Sequence, residues 1–137
     1  MIRTVLDTNI LISAFLSPKG APAKVFDHVL NGNVTMCFDS NIIAEYKEVL
    51  ERPKFKFNQK AIDQVIEFIL EAGLSVVPKP LNIDFIDEDD KIFYEVAVHV
   101  NGHLVTGNAK HYPKEPIVVT AAEFLEIIEN QNKELQL

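Results

Sequence analysis

The sequence predicts an α/β fold in which helices cover both faces of a largely parallel sheet. Two observations predict it. Short apolar runs of strand length alternate with longer segments whose apolar residues recur at three- and four-residue steps. Gly- and Pro-containing breaks separate most of these segments. Strands that alternate with helices pair in parallel, because each helix carries the chain back to the sheet edge where the previous strand began. A third observation sets the scale: 137 residues without a repeat, low-complexity tract or linker suit one domain spanning 1–137.

The elements follow in order. Ile2–Leu6 is a short buried strand, and a helix runs from about Thr8 to Leu16 until Ser17-Pro18-Lys19-Gly20 breaks it. Pro22 suits the first turn of the next helix, whose stripe is Val25, Phe26, Val29 and Leu30, with Gly32 as its stop. Val34–Phe38 is the second strand. Asp39 or Ser40 caps a helix that reaches about Glu51 before Pro53. Ile62, Val65, Ile66, Ile69 and Leu70 mark a helix over Gln59–Ala72, and Gly73 stops it. Leu74–Val77 is a third strand closed by Pro78 and Pro80. A helix then runs from Asp87-Glu88-Asp89-Asp90 to about Val100. Leu104–Thr106 and Ile117–Val119 are the last strands. Thr120-Ala121-Ala122-Glu123 has the capping-box pattern of a final helix, which is expected to fray from 131 to 137.

A formal net charge of −7 opposes nonspecific attraction to nucleic acid, so a nucleic-acid function requires a place where the acids are neutralised. The single cysteine, Cys37, excludes an intrachain disulfide framework and lies in an apolar run, which fits a reducing compartment. No run reaches the ~18 apolar residues of a membrane span. Ile10–Leu16 is too short for a secretory signal, and Asp7 and Asn9 interrupt the approach to it. The expected location is the cytoplasm, with no membrane partner.

In an open α/β sheet, ligands bind beyond the carboxyl ends of the strands. Asp7 and Asn108 fall there. Asp7 reads either as the N-cap of the helix it precedes or as a carboxylate holding a divalent cation, with Asn9 orienting it or a water. Glu45 lies three residues after Ile42 and four before Val49, on the inner stripe that also contains Tyr46. It either snorkels to water at the stripe's edge or faces a ligand, because an inward carboxylate is costly without compensation. The Asp87–Asp90 run suits a helix N-terminus by itself. Asp90, three residues before Phe93 and seven before Ala97, falls on the face that packs inward; Asp89 shares it less decisively. Gathered carboxylates stay ionised only with help, and oxygen ligands select Mg²⁺ or Mn²⁺. His28, His99, His103 and His111 form no zinc-ligand spacing; His28 and His99 read as helix-surface residues, and His111, in a loop near Asn108, reads as a loop residue that could also approach substrate.

Four segments resemble one family. Val5-Leu6-Asp7-Thr8-Asn9, Ile43-Ala44-Glu45, Asp89-Asp90-Lys91 and Val105-Thr106-Gly107-Asn108 occur in the order typical of PIN domains. Val49-Leu50-Glu51-Arg52-Pro53-Lys54-Phe55 resembles the subgroup regarded as toxin components of toxin–antitoxin pairs. The resemblance implies a three-layer α/β/α sandwich with a mainly parallel five-stranded sheet. It further implies a Mg²⁺- or Mn²⁺-dependent endoribonuclease with an antitoxin partner and a homodimeric state. Asp7, Glu45 and Asp90 match the family's core acids. Asn108 stands where many members carry a fourth Asp, which weakens a second metal position. On this reading Asn9, Thr106 and Asn108 position water or phosphate. RNA is gripped by Arg52, Lys54, Lys56 and Lys60, interleaved with Phe55 and Phe57, unless those rings are buried; Lys110 and Lys114 add to the grip.

Two rivals remain. A haloacid dehalogenase-type phosphatase also places Asp after its first strand but wants a second Asp where Asn9 stands. An inactive PIN-like module binding RNA or a protein would explain Asn108.

Overall fold

The structure is a computed structural model, and it describes residues 1–135. Five strands, Ile2–Leu6 (β1), Val34–Phe38 (β2), Leu74–Ser75 (β3), His103–Val105 (β4) and Val118–Val119 (β5), form one sheet in the order β3-β2-β1-β4-β5. Every neighbouring pair is parallel. Six α-helices accompany them among the described residues: Thr8–Leu16 (α1), Ala21–Leu30 (α2), Ser40–Leu50 (α3), Gln59–Ala72 (α4), Lys91–His99 (α5) and Ala121–Leu135 (α6). This is the three-layer α/β/α sandwich that the alternation of strands and helices requires. No helix among the described residues is long and apolar enough to cross a membrane.

The central strands are buried on both faces, as in parallel sheets generally. Val5, Leu6, Leu104 and Val105 have no exposed surface. Helix α5 lies against β1, β2 and β4, and its Phe93 packs beside Tyr46 of α3 with ring centroids 6.3 Å apart. The chain enters β4 through Gly102, where a Cβ would stand 2.5 Å from the Arg3 carbonyl oxygen. Only glycine lets the two backbones approach this closely. That approach precedes the register Leu6↔Val105, which brings the carboxyl ends of β1 and β4 level.

Helix boundaries follow local chemistry. Asp39 caps α3 by accepting from the Ile42 amide at 2.8 Å. Thr120 and Glu123 close the capping box reciprocally, at 2.8 and 3.1 Å. Some boundaries differ from the sequence expectation. Strand β3 ends at Ser75, although the Val76 amide still donates to the Phe38 carbonyl at 2.9 Å. Strand β5 starts at Val118, and a 3₁₀ turn, Glu88–Asp90, precedes α5. Helix α6 continues past 131, where fraying was expected, to Leu135; 136–137 lie outside the described residues. Cys37 is buried, and burial pushes its thiol up to about 11.

Candidate active site

From β1 the chain moves to β2 and β3 on one side of the sheet, and later returns to β4 and β5 on the other. The switch point therefore lies between β1 and β4, where adjacent connections diverge and leave a crevice. Asp7 and Thr106 follow those two strands directly, and the Asp7 amide donates to the Val105 carbonyl at 2.9 Å.

The Asp7 carboxylate does not cap α1: no side-chain cap bond forms there. It turns into the crevice and is 6 % exposed. Its Oδ2 accepts from the Thr106 hydroxyl at 2.7 Å and from the Tyr112 hydroxyl at 3.2 Å. Burial pushes the carboxyl above its ordinary range; those two donors and the Thr8 amide pull the other way.

Glu45 reaches the same place through its neighbour. The buried Tyr46 hydroxyl donates to the Leu6 carbonyl, which anchors α3 to the end of β1. One residue earlier, Glu45 accepts from the Thr8 hydroxyl. It is half-buried, so the inner stripe placed it correctly. Its carboxyl is raised by burial first, then by the charges of Asp7, Asp90 and Asp89. Asp90 is raised by burial, then by Asp7 and Asp87, while His111 lowers it. Asp90 Oδ2 lies 3.4 Å from His111 Nδ1. Asp89 is exposed and lines a cleft of about 280 Å³ with Asn41, Glu45, Glu88 and Ile92.

Asp7, Glu45 and Asp90 thus come from three separate elements; the charge of Asp7 raises the other two, and that of Asp90 raises Glu45. They do not close around a point: among the described residues no three Asp, Glu, His or Cys side chains stand at distances that enclose one ion. The donor set nevertheless suits a hard cation. It offers carboxylate oxygens alone, all raised by burial and two of them also by neighbouring acids, and Mg²⁺ usually keeps several waters rather than an all-protein cage.

The remaining candidates divide. Thr106 is fully buried and serves Asp7; its oxygen also accepts from the Asn108 amide at 2.9 Å. Asn9 and Asn108 are exposed beside the crevice. Arg52 and Lys54 lie beyond the C-terminal end of α3 and are not among the charges that shift the three acids. Arg52 pairs with Glu48 at 3.2 Å, and Lys54 sits 5.0 Å from the Phe55 ring centre. Phe55 and Phe57 pack onto the core, with Phe57 edge-on to Phe15, so they are not free to stack on bases. Sequence reasoning missed Tyr112 and gave an approach of His111 to the site only as the less favoured alternative. His111 is partly exposed but joins Asp90. Only its closeness to Asn108 in the chain hinted at this.

Fold and site together define an α/β protein with a carboxylate-lined crevice at the switch point of its sheet. The chain belongs to the PIN domain family, whose model matches residues 3–110. PIN domains are generally nucleases and typically use divalent metal ions. The chain is 28% identical over 111 residues to an uncharacterized protein of Methanocaldococcus jannaschii, covering 78% of this chain and 71% of that one. Its fold is similar to a chain in the crystal structure of VapBC2 from Rickettsia felis bound to a DNA fragment from their promoter. That match has a TM-score of 0.56 and 18% identity, and covers 87% of this chain and 97% of the other.

Proposed function

We propose that this chain is a Mg²⁺- or Mn²⁺-dependent endoribonuclease and the toxin component of a toxin–antitoxin pair. The observation that carries the reading is that Asp7, held by Thr106 and Tyr112, Glu45, held by Thr8, and Asp90, beside His111, are brought from three elements to the switch point, because carboxylates gathered and partly buried are costly without a cation. Those three side chains would hold the ion, and Asn108 would offer one amide oxygen in place of a fourth carboxylate. The chemistry such a cation supplies is Lewis acidity: it activates water as the nucleophile and offsets charge on the phosphoryl oxygens. Thr106 and Tyr112 orient Asp7, and Thr8 orients Glu45. Asn9 and Asn108, exposed at the rim, would position phosphate. Lys110 and Lys114, in the loop that carries Tyr112, and Arg52 and Lys54, beyond α3, would grip the RNA backbone. The antitoxin partner, a homodimer and a cytoplasmic location belong to the same reading; the VapBC2 likeness and the single buried thiol support it.

Incubating the purified chain with a panel of labelled single-stranded RNAs tests it. Cleavage is expected with Mn²⁺ and is lost with EDTA. The catalytically inactive module is the second reading, favoured by Asn108 and by the open spacing of the acids. It wins if the chain binds RNA yet cuts none.

The raised carboxyls also predict a pH dependence. A carboxyl whose folded pKa lies above its unfolded value binds its proton more tightly in the folded state. Its charge therefore costs stability at neutral pH, and that cost disappears as pH falls through the folded pKa. Through these carboxyls the metal-free protein is expected to gain stability as pH falls from neutrality through their raised folded pKa values, while His103, whose pKa burial lowers, acts in the opposite direction. At about 100 times its Kd, Mn²⁺ contributes about 2.7 kcal/mol, a rise on the order of 10 °C. The rise should be larger at pH 8. Scanning calorimetry showing no pH trend and no Mn²⁺ effect would remove the basis for a metal site.

Tyr112→Phe keeps the ring and removes one of the two donors to Asp7 Oδ2. Weaker Mn²⁺ binding by roughly tenfold is expected, as for other groups that orient a ligand. Titration calorimetry reads it, and cleavage should recover at high Mn²⁺. Unchanged affinity would reduce Tyr112 to a packing role.

A further inference from the structure

Beside Tyr112, the loop between β4 and β5 borders an open cavity of about 460 Å³. Its apolar lining includes Tyr112, Pro113 and Val118, and Lys110, Lys114 and Glu115 supply charge. The loop is held stiffly. The Tyr112 amide donates to the Ala109 carbonyl at 3.2 Å and the Glu115 amide to the Pro113 carbonyl at 2.9 Å. The Val118 amide donates to the Glu115 carbonyl at 3.0 Å, and Pro116 lies inside that turn. The backbone at Glu115 is therefore braced before any ligand arrives. Tyr112 is shared by the two: it lines the cavity, and its hydroxyl lies 3.2 Å from Asp7 Oδ2. An occupant of the cavity sits within one tyrosine side chain of the proposed reaction centre.

We propose that this cavity is a subsite for a guanine nucleotide next to the bond that is cut; it rests on the nuclease reading above. The volume falls within the range of ordinary small-molecule sites, roughly 300–1,000 Å³. Its apolar lining suits the face of a base, and two lysines against one glutamate make a local positive excess in a chain of net charge −7. The choice of base follows from Glu115. A carboxylate only accepts hydrogen bonds. Guanine presents two donors side by side, N1–H and the N2 amino group, which match its two oxygens. Adenine sets the acceptor N1 at that edge, cytosine sets N3 beside its one amino group, and uracil flanks a single N3–H with two carbonyls. Guanine O6 and N7 are acceptors that a lysine ammonium can meet. Single-stranded RNA exposes that edge for reading. The second lysine is then available for the adjoining phosphate.

Two measurements on the full chain test the proposal, and only the second needs cleavage. The first is calorimetric titration of wild type and Glu115→Gln with 5′-GMP and 5′-AMP. Glu115 is exposed, so the variant folds. Wild type is expected to prefer GMP about tenfold, or ~1.4 kcal/mol, and Glu115→Gln less than about threefold. The second is the kcat/KM ratio for RNAs carrying G or A beside the cut, which should fall in parallel. Equal binding of GMP and AMP by wild type, or a preference that survives Glu115→Gln, overturns the subsite. RNA cleavage without base preference overturns it and leaves the nuclease reading standing. GMP preference in a chain that cuts no RNA supports the pocket and overturns the nuclease reading.

Discussion

Asp7→Asn should lose RNA cleavage by on the order of 10³-fold, since the loss of metal-derived stabilisation is worth several kcal/mol, and should melt higher than the metal-free wild type. Both effects come from the same carboxylate. Asn keeps an oxygen that accepts from Thr106 and Tyr112, so the local hydrogen bonds survive. The substitution removes a charge that burial disfavours and that raises the carboxyls of Glu45 and Asp90. A misfolded variant would lose activity and stability together. Lower activity with higher stability isolates the site from the fold, as when function is held at a cost in stability. Calorimetry and a single-turnover assay read the two halves. Retained cleavage would show that Asp7 is a structural acid in a different kind of site.

Phe93→Ala should cost about 3–5 kcal/mol. Phe93 has no exposed surface and lies in the layer between α5 and the strands β1, β2 and β4. Its truncation leaves a void beside Tyr46, whose hydroxyl ties α3 to Leu6. Close packing lets such a void relax only in part. The damage also reaches the crevice, because Asp90 lies one helical turn before Phe93 and Glu45 is the neighbour of Tyr46. Urea denaturation should show a lower midpoint with an unchanged slope. A cost under about 1 kcal/mol would mean that α5 is not seated as described.

Much of the fold was legible because its signals are local. The alternation of strand-length runs with helical stripes, the Asp39 cap and the Thr120–Glu123 capping box each depend on residues within a few positions of one another. Glu45 was legible for the same reason: Ile42 and Val49 define a stripe on which it falls, and its half-buried place follows. Asp90 was legible through Phe93 and Ala97. Asp7 was ambiguous, because a capping Asp and an inward Asp have the same neighbours in the chain. Its carboxylate meets Thr106 and Tyr112 across 99 and 105 residues, beyond any periodicity. The basic stretch at Arg52 and Lys54 shows the converse: residue types that suit RNA are visible in the chain, but their partners in the fold, Glu48 and Phe55, are local.

By itself, the amino-acid order determined which segments are strands and helices, and which face of each helix turns inward. It could do so because hydrophobic period and capping chemistry act over a turn or two of chain. Only the tertiary structure decided that β1 lies beside β4 in the order β3-β2-β1-β4-β5, and hence that Asp7 meets Tyr112 rather than capping α1. Strand neighbours are settled by burying the faces of all elements together, and no single segment carries that information.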